Sequence, residues 1–142
     1  MKKVKHILEN KGYLVYSVNA QTSVYEALTI MMEKNISAVL IMNGSQLEGI
    51  FTERDYARKL ILKGKSSKDT RISDIMTREV LTINPEDSID RCMEMMTGKK
   101  IRHLPVIDNQ QVTGMISIGD VVKFIIEDQK KIIEQLENYI AS

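Results

Sequence analysis

Shifting the chain by 65 positions lays residues 15–56 on residues 80–121 without a gap. Asn19 then meets Asn84, Ser23 meets Ser88, Ile36 meets Ile101, Gly49 meets Gly114 and Asp55 meets Asp120, while Thr52 exchanges like for like with Ser117. A repeat of this kind constrains a fold more than any single motif, because each copy must be the same supersecondary unit. A lone unit of roughly 60 residues buries too little surface to stand comfortably alone. The 142 residues therefore suit two half-sized units that share one core, and do not suffice for two independent domains of ordinary size.

Each copy reads as strand, helix, strand, strand, helix. In the first, Ser23 is an N-cap with Glu26 three residues on, and Val24, Ala27, Leu28 and Met31 recur at helical spacing. "SAVLIM" and "LEGIFT" are apolar runs on either side of "NGSQ", whose Asn-Gly is a strong hairpin signal. "LPVI", "DNQQ" and "VTGMIS" take the same places in the second copy, and the helices "ERDYARKLIL" and "GDVVKFIIEDQKKIIEQLENYI" follow the two hairpins. The polar stretch "KGKSSKDTR" between the copies, with Gly64 as a helix stop, reads as an exposed connector. The neighbouring "ISDIMT" resembles the lead-in "KHILENKG" only loosely. The expected spans are 1–63 for the first repeat with its lead-in, 64–77 for the connector, 78–127 for the second repeat and 128–142 for a C-terminal helix extension. Ile125, Ile132, Ile133, Leu136 and Ile140 put an apolar stripe on that last helix, more than its own unit needs.

Charge narrows the partners. Lys and Arg total 20 against 19 Asp and Glu, so there is no global electrostatic reason to expect nucleic acid or an anionic membrane. The basic run from Arg54 to Arg71 holds seven Lys or Arg and reads as a solvated helix face and loop. No segment approaches the length of a membrane span or of a signal-peptide apolar core. The single cysteine, Cys92, occupies the apolar helical position of Ala27 and reads as a small buried residue; one cysteine allows no intrachain disulfide and fits a reducing, cytoplasmic setting. His6 and His103 lack metal-ligand spacing, so no metal site is expected.

The motifs "SVYEALTIMMEKNISAVLIM", "GIFTERD", "DIMT", "IRHLPVID" and "GMISIGD", in this order over about residues 4–127, resemble a tandem pair of CBS domains, also called a Bateman module. The run "FTERDYARKLILKGKSS" with "RHLPV" and "SIGD" is similar to small bacterial proteins made of little besides this module. The resemblance implies an α/β fold in which two βαββα units pack about a pseudo-two-fold axis and leave two clefts. It implies that the clefts hold adenosine-containing ligands such as AMP, ADP, ATP or NAD, with S-adenosylmethionine ranked behind them, and that no cofactor is required. It also implies homodimers and a regulated protein on a separate chain.

The residues suit that chemistry on their own terms. A carboxylate can accept a hydrogen bond from each of two adjacent ribose hydroxyls, which gives Asp55 and Asp120 their candidate role. Thr52 and Ser117, at a strand end before a helix, can bond ribose or phosphate, and the helix N–H groups favour an anion. Gly49 and Gly114 would let backbone come close. An Asp at such a place is otherwise a helix cap. Arg54 and Arg58 flank the first motif; Arg102 and His103, ahead of Leu104 and Pro105, stand where the family often places phosphate-contacting side chains. Ser37 and Ala38 hold the matching places in the first copy. Val18, Ile36 and Val39, and likewise Ile83, Ile101 and Leu104, are candidate walls for an adenine slot. Because Arg54 faces Gly119 across the repeat, and Ser37-Ala38 faces Arg102-His103, the two clefts are expected to bind unequally.

No nucleophile, base and orienter set, Walker loop or catalytic carboxylate pair is present, so an enzyme is not expected. Two functions remain: a non-catalytic sensor of an adenine nucleotide that signals to a partner, or a structural, dimerising module whose clefts are vestigial.

Overall fold

The structure, a computed structural model, describes residues 2–141. The expected repeat is present as two units of matching register. In the first, β1 (Ser17–Val18) leads into α2 (Val24–Lys34), β2 (Ala38–Asn43) and β3 (Gln46–Thr52). In the second, α4 (Ile89–Lys99), β4 (His103–Asp108) and β5 (Gln111–Ser117) run into α5 (Ile118–Ala141). The hairpins are superimposable in register: Ala38 pairs with Thr52 and His103 with Ser117, and each ladder carries an irregularity at the same place, after Ile41 and after Val106. The strand expected to lead the second copy is reduced to one parallel bridge, Ile83 to Val106, where β1 pairs Val18 with Ile41.

Local rules account for these elements. Ser23 and Ser88 cap α2 and α4 by accepting from the N–H of Glu26 and Arg91, at 3.1 and 3.0 Å. Both helices end on a left-handed residue, Asn35 and Lys100. The first hairpin turns through Gly44 at φ 60°, the second through Asn109 and Gln110, both at positive φ, the geometry of a type I′ turn. After β3 the chain makes one α-turn, α3 (Glu53–Asp55), then a π-helical segment, Tyr56–Leu60, and a 3-10 turn, Ile61–Lys63, stopped at Gly64. The π segment sends Leu60 into the core and leaves Ile61 and Leu62 exposed.

Alternate residues of each sheet face opposite ways. Val39, Ile41 and Phe51 pack on the helical side of the first unit, as Leu104, Val106 and Ile116 do in the second. Ala38, Leu40 and Ile50 face the other sheet and meet Val112 and Met115 across the approximate two-fold. Val39, Leu104 and Ile83 are thus ordinary core residues, and Pro105 is buried in the sheet; none is open to a ligand.

The lead-ins are exchanged. Val4, Ile7 and Leu8 of α1 (Val4–Lys11) lie in the core of the second unit, while Ile72, Ile75 and Met76 lie in the core of the first. Matched hydrogen bonds fix the equivalence: Ile72 N donates to Thr22 O as Val4 N does to Asp87 O, at 2.7 and 2.9 Å. Val24 N donates to Thr70 O as Ile89 N does to Lys2 O, at 2.9 and 3.2 Å. "VKHIL" therefore corresponds to "ISDIM", and the shift there is 68 positions, three more than in the rest of the repeat. Within the span 64–77, the second half is buried core and only the first part runs largely exposed. Met1 and Ser142, the ends of the outermost spans, lie outside the described residues.

The exchange corrects the reading of the repeated glycines. A Cβ on Gly49 would stand 2.5 Å from Met76 Sδ, and one on Gly114 would stand 2.8 Å from Leu8 Cδ2. The space each glycine leaves is filled by the exchanged lead-in rather than by a ligand.

Candidate functional site

Both repeated motifs are reciprocal helix caps. Thr52 N donates to Asp55 Oδ2 at 3.0 Å and Asp55 N to Thr52 Oγ1 at 3.3 Å; Ser117 N donates to Asp120 Oδ2 at 2.8 Å and Asp120 N to Ser117 Oγ at 3.2 Å. Each cap uses one carboxylate oxygen and leaves the other to be decided by its surroundings.

Those surroundings differ. Asp55 Oδ1 accepts from Thr77 Oγ1 at 2.9 Å and pairs with Lys59 Nζ at 3.0 Å, so both its oxygens are engaged. Its side chain is 8 % exposed. At Asp120 the position of Lys59 is held by Phe124, and Lys11 of the lead-in reaches the carboxylate from a position that does not match Thr77. Lys11 Nζ donates to the same Oδ2 at 2.7 Å and to Met115 O at 2.6 Å, leaving Asp120 Oδ1 without a hydrogen bond from the described residues. This side chain is 22 % exposed. Burial pushes the Asp120 carboxyl upward, but the Lys11 ammonium and the Ser117 N–H outweigh it and hold the group below its ordinary value. It stays ionised near neutrality.

Asp120 opens onto a cleft of about 430 Å³, within the range of small-molecule sites. One wall comes from the first unit, with Val15, Tyr16, Ile36, Ser37 and Ala38; the other comes from the second, with His103, Met115, Ser117 and Asp120. Lys11, Gly12 and Leu14 of the lead-in also line it. Ser37 Oγ and His103 Nε2 meet at 3.0 Å across the junction between the units. Burial, chiefly, and the Lys11 charge lower the His103 pKa below 6.5, which favours the neutral ring.

The cleft thus brings together Ile36, Ser37, Ala38, His103, Ser117 and Asp120 of the candidate residues, mixing the copies rather than keeping each motif with its own walls. Val18 and Ile101 are half-buried against the helical cores of their own units. Arg58 and Arg102 are exposed and do not line it. Arg54 reaches instead to the C-cap of α4, donating to Lys100 O at 3.0 Å. Lys11, Val15, Tyr16 and Met115 are lining residues that motif reading missed. None had a sequence trace: at the longer shift Lys11 falls opposite Glu79, and Thr77 falls opposite Glu9.

Among the described residues no group of His, Cys, Asp and Glu could hold a metal ion, and no helix is long and apolar enough to cross a membrane. Cys92 is buried in the second core, which raises its thiol to about 11.

Comparison with known proteins places this geometry. The CBS domain model matches residues 14–62 and 72–127. A solved protein with CBS domains from Burkholderia ambifaria is 46 % identical, with a TM-score of 0.87 over 90 % of this chain and 96 % of that one. The CBS domain pair of protein MJ0100, solved with 5′-methylthioadenosine and S-adenosyl-L-methionine, is 27 % identical, with a TM-score of 0.79 over 90 % of this chain and 98 % of that one. The mitochondrial CBS domain-containing protein CBSX3 of Arabidopsis thaliana is 43 % identical over 83 % of this chain, which spans 60 % of that protein's length. Two repeats in matched register, each matched by the same family model, establish that the chain belongs to the CBS-domain family as a tandem pair.

Proposed function

We propose that the chain is a non-catalytic sensor that binds one adenosine-containing ligand in the cleft at Asp120 and passes its state to a separate protein. The observation that carries this reading is the ionised carboxylate with a free Oδ1 at the mouth of an apolar slot. That oxygen can accept from a ribose hydroxyl without breaking the helix cap, which uses Oδ2 alone. Tyr16, Val15 and Ile36 supply flat apolar walls for a purine. The ligands of the MJ0100 pair share the adenosine group. Lys11 favours an anionic tail, which ranks AMP, ADP, ATP and NAD ahead of the sulfonium of S-adenosylmethionine. The lone buried thiol supports a reducing compartment, proposed as the cytoplasm.

The same motif at Asp55 is spent on internal bonds. For that half the structural reading, a module with a vestigial cleft, has its own support.

Titration calorimetry with AMP, ADP, ATP, NAD and S-adenosylmethionine tests the proposal on wild-type, Asp120→Ala and Asp55→Ala proteins. Binding should survive in Asp55→Ala and fall at least tenfold in Asp120→Ala. At about 100 times the dissociation constant, linkage supplies roughly 2.7 kcal/mol, equivalent to a rise in Tm of ~9 °C for a domain of this size. No binding of any of the five by folded wild-type protein leaves the structural reading standing.

A further inference from the structure

From Gln129 to Ala141 every residue of α5 is exposed, so the helix leaves the body near Asp128, where Lys2 pairs with that carboxylate at 3.5 Å. A solvated projection would be polar on all sides. This one is not: Ile133, Leu136 and Ile140 are 53, 57 and 81 % exposed, and Val122 and Ile126 nearer its root are 46 and 48 % exposed. Val122, Ile126, Gln129, Ile133, Leu136 and Ile140 follow one another in alternating steps of four and three. Two interleaved rows, 122/129/136 and 126/133/140, each recur after seven residues, the repeat of a coiled-coil seam.

The two halves of the seam have different surroundings. At the root, Ile118, Val122 and Ile126 line a shallow open groove edged by Lys123, Glu127 and Lys130. The outer half is exposed along its whole length. Along one edge of the seam, Lys123, Lys130 and Glu137 recur seven residues apart, two positive at the root and one negative at the tip. An acidic tip matched to a basic root suits a second copy running the opposite way.

The register can be worked out. An antiparallel pair centred at Lys131 sets Val122 against Ile140, Ile126 against Leu136 and Gln129 against Ile133, each occurring twice by symmetry. The flanking positions pair about a centre one residue earlier, which sets Lys123 against Glu137 at both ends and Lys130 against its own copy in the middle. In a parallel pair Gln129 would face its own copy within the seam, and Lys130 and Glu137 would flank Ile125 and Ile132, with no opposite charges opposed. An isologous antiparallel pair also closes on itself, leaving no seam free for a third chain.

We propose that the C-terminal helices of two copies form an antiparallel coiled coil, the exposed tail of each lying in the root groove of the other. This deepens the homodimer expectation and does not rest on ligand binding in the Asp120 cleft. The occupant is the chain's own tail.

Cysteine crosslinking reads both the occupant and the direction. In a Cys92→Ala background, Val122→Cys and Ile140→Cys chains are prepared separately, oxidised alone and then as a mixture. The seam runs roughly 27 Å from 122 to 140 at helical rise, too far for a disulfide between like positions of an antiparallel pair. A disulfide-linked dimer should form only in the mixture and contain one chain of each kind. Linkage within Ile140→Cys alone would mean parallel helices and overturn the proposal, as would no linkage in the mixture. Sedimentation of the cysteine-free chain supplies the independent measure. Glu137→Lys should raise the dimer dissociation constant several-fold and added Lys123→Glu should restore it, whereas a wild-type monomer at 100-micromolar-scale concentration, about 10⁻⁴ M, would assign the seam to another protein and refute self-pairing. All substituted side chains are exposed apart from Cys92, for which Ala is the repeat's own residue at Ala27, so the body stays folded and the cleft's binding can be checked separately.

Discussion

The exchanged lead-ins can be tested by a double-mutant cycle at Gly114 and Leu8. Leu8 is buried and its two δ-carbons lie 2.8 and 3.0 Å from where a Cβ on Gly114 would stand. Gly114→Ala alone forces Leu8 out of a close-packed site, an overpacking cost of about 2 kcal/mol. Leu8→Ala alone removes a buried side chain and opens a cavity, a cost of about 3 kcal/mol. Simple addition would give about 5 kcal/mol. In the double variant the new methyl occupies space that the Leu8 δ-carbons vacate, so the strain vanishes and part of the cavity fills. We expect about 3 kcal/mol in total, a coupling near 2 kcal/mol in favour of the pair. Urea unfolding followed by circular dichroism measures it, provided the m-value stays constant across the cycle. Gly49→Ala with Leu8→Ala is the control: Gly49 faces Met76 in the other unit, so these two should add within about 0.5 kcal/mol. Additive costs at Gly114 and Leu8 would refute the packing of the first lead-in on the second unit.

Two further outcomes follow from the polar contacts. Asp55→Ala removes the partner of the Thr52 N–H, the Thr77 hydroxyl and Lys59, and should cost about 2–3 kcal/mol in urea unfolding; a loss below about 0.5 kcal/mol would show that the buried carboxylate is not structural. His103 is held below its ordinary 6.5 by burial and the Lys11 charge, so at lower pH the unfolded chain binds the proton more readily. Its contribution is complete above pH 6.5 and lost as pH falls toward the folded-state value. Stability should therefore decline below pH 6.5 more steeply in wild type than in His103→Gln, and identical pH profiles would remove His103 as the cause.

Much of the fold was legible because the repeat is ungapped through the strands and α2/α4, where packing alternation and caps demand the same residue types twice. The lead-ins were not, because the first linker has three more residues than the second, which breaks the frame where the chains cross over. Ser117, Asp120 and His103 could be singled out by residue type and position. Their grouping with Ile36 and Ser37 could not, since it depends on how one sheet is laid against the other. The unequal behaviour of the two aspartates was expected from Arg54 and Arg102, yet the differences that decide it are Lys59 opposite Phe124 and the unmatched partners Thr77 and Lys11. The first of these stands in the aligned repeat; the second depends on the exchange. Val39, Leu104 and Ile83, expected as walls, lie buried in the cores, because an apolar residue on a strand reads alike on either face until the neighbouring sheet is known.

The crossing of the lead-ins bears on how the chain holds together. Neither half contains its own core: the first ends its helical layer with Ile72 and Met76, which precede the second, and the second is closed by Val4 and Leu8 from the far terminus. The molecule is in effect a swapped dimer whose protomers are joined by one covalent strand. A break in residues 64–69 would not release two small domains but two incomplete pieces, each carrying the other's missing wedge. Separation of the halves is then coupled to their unfolding, and a ligand gripping both walls of the cleft acts against the same opening.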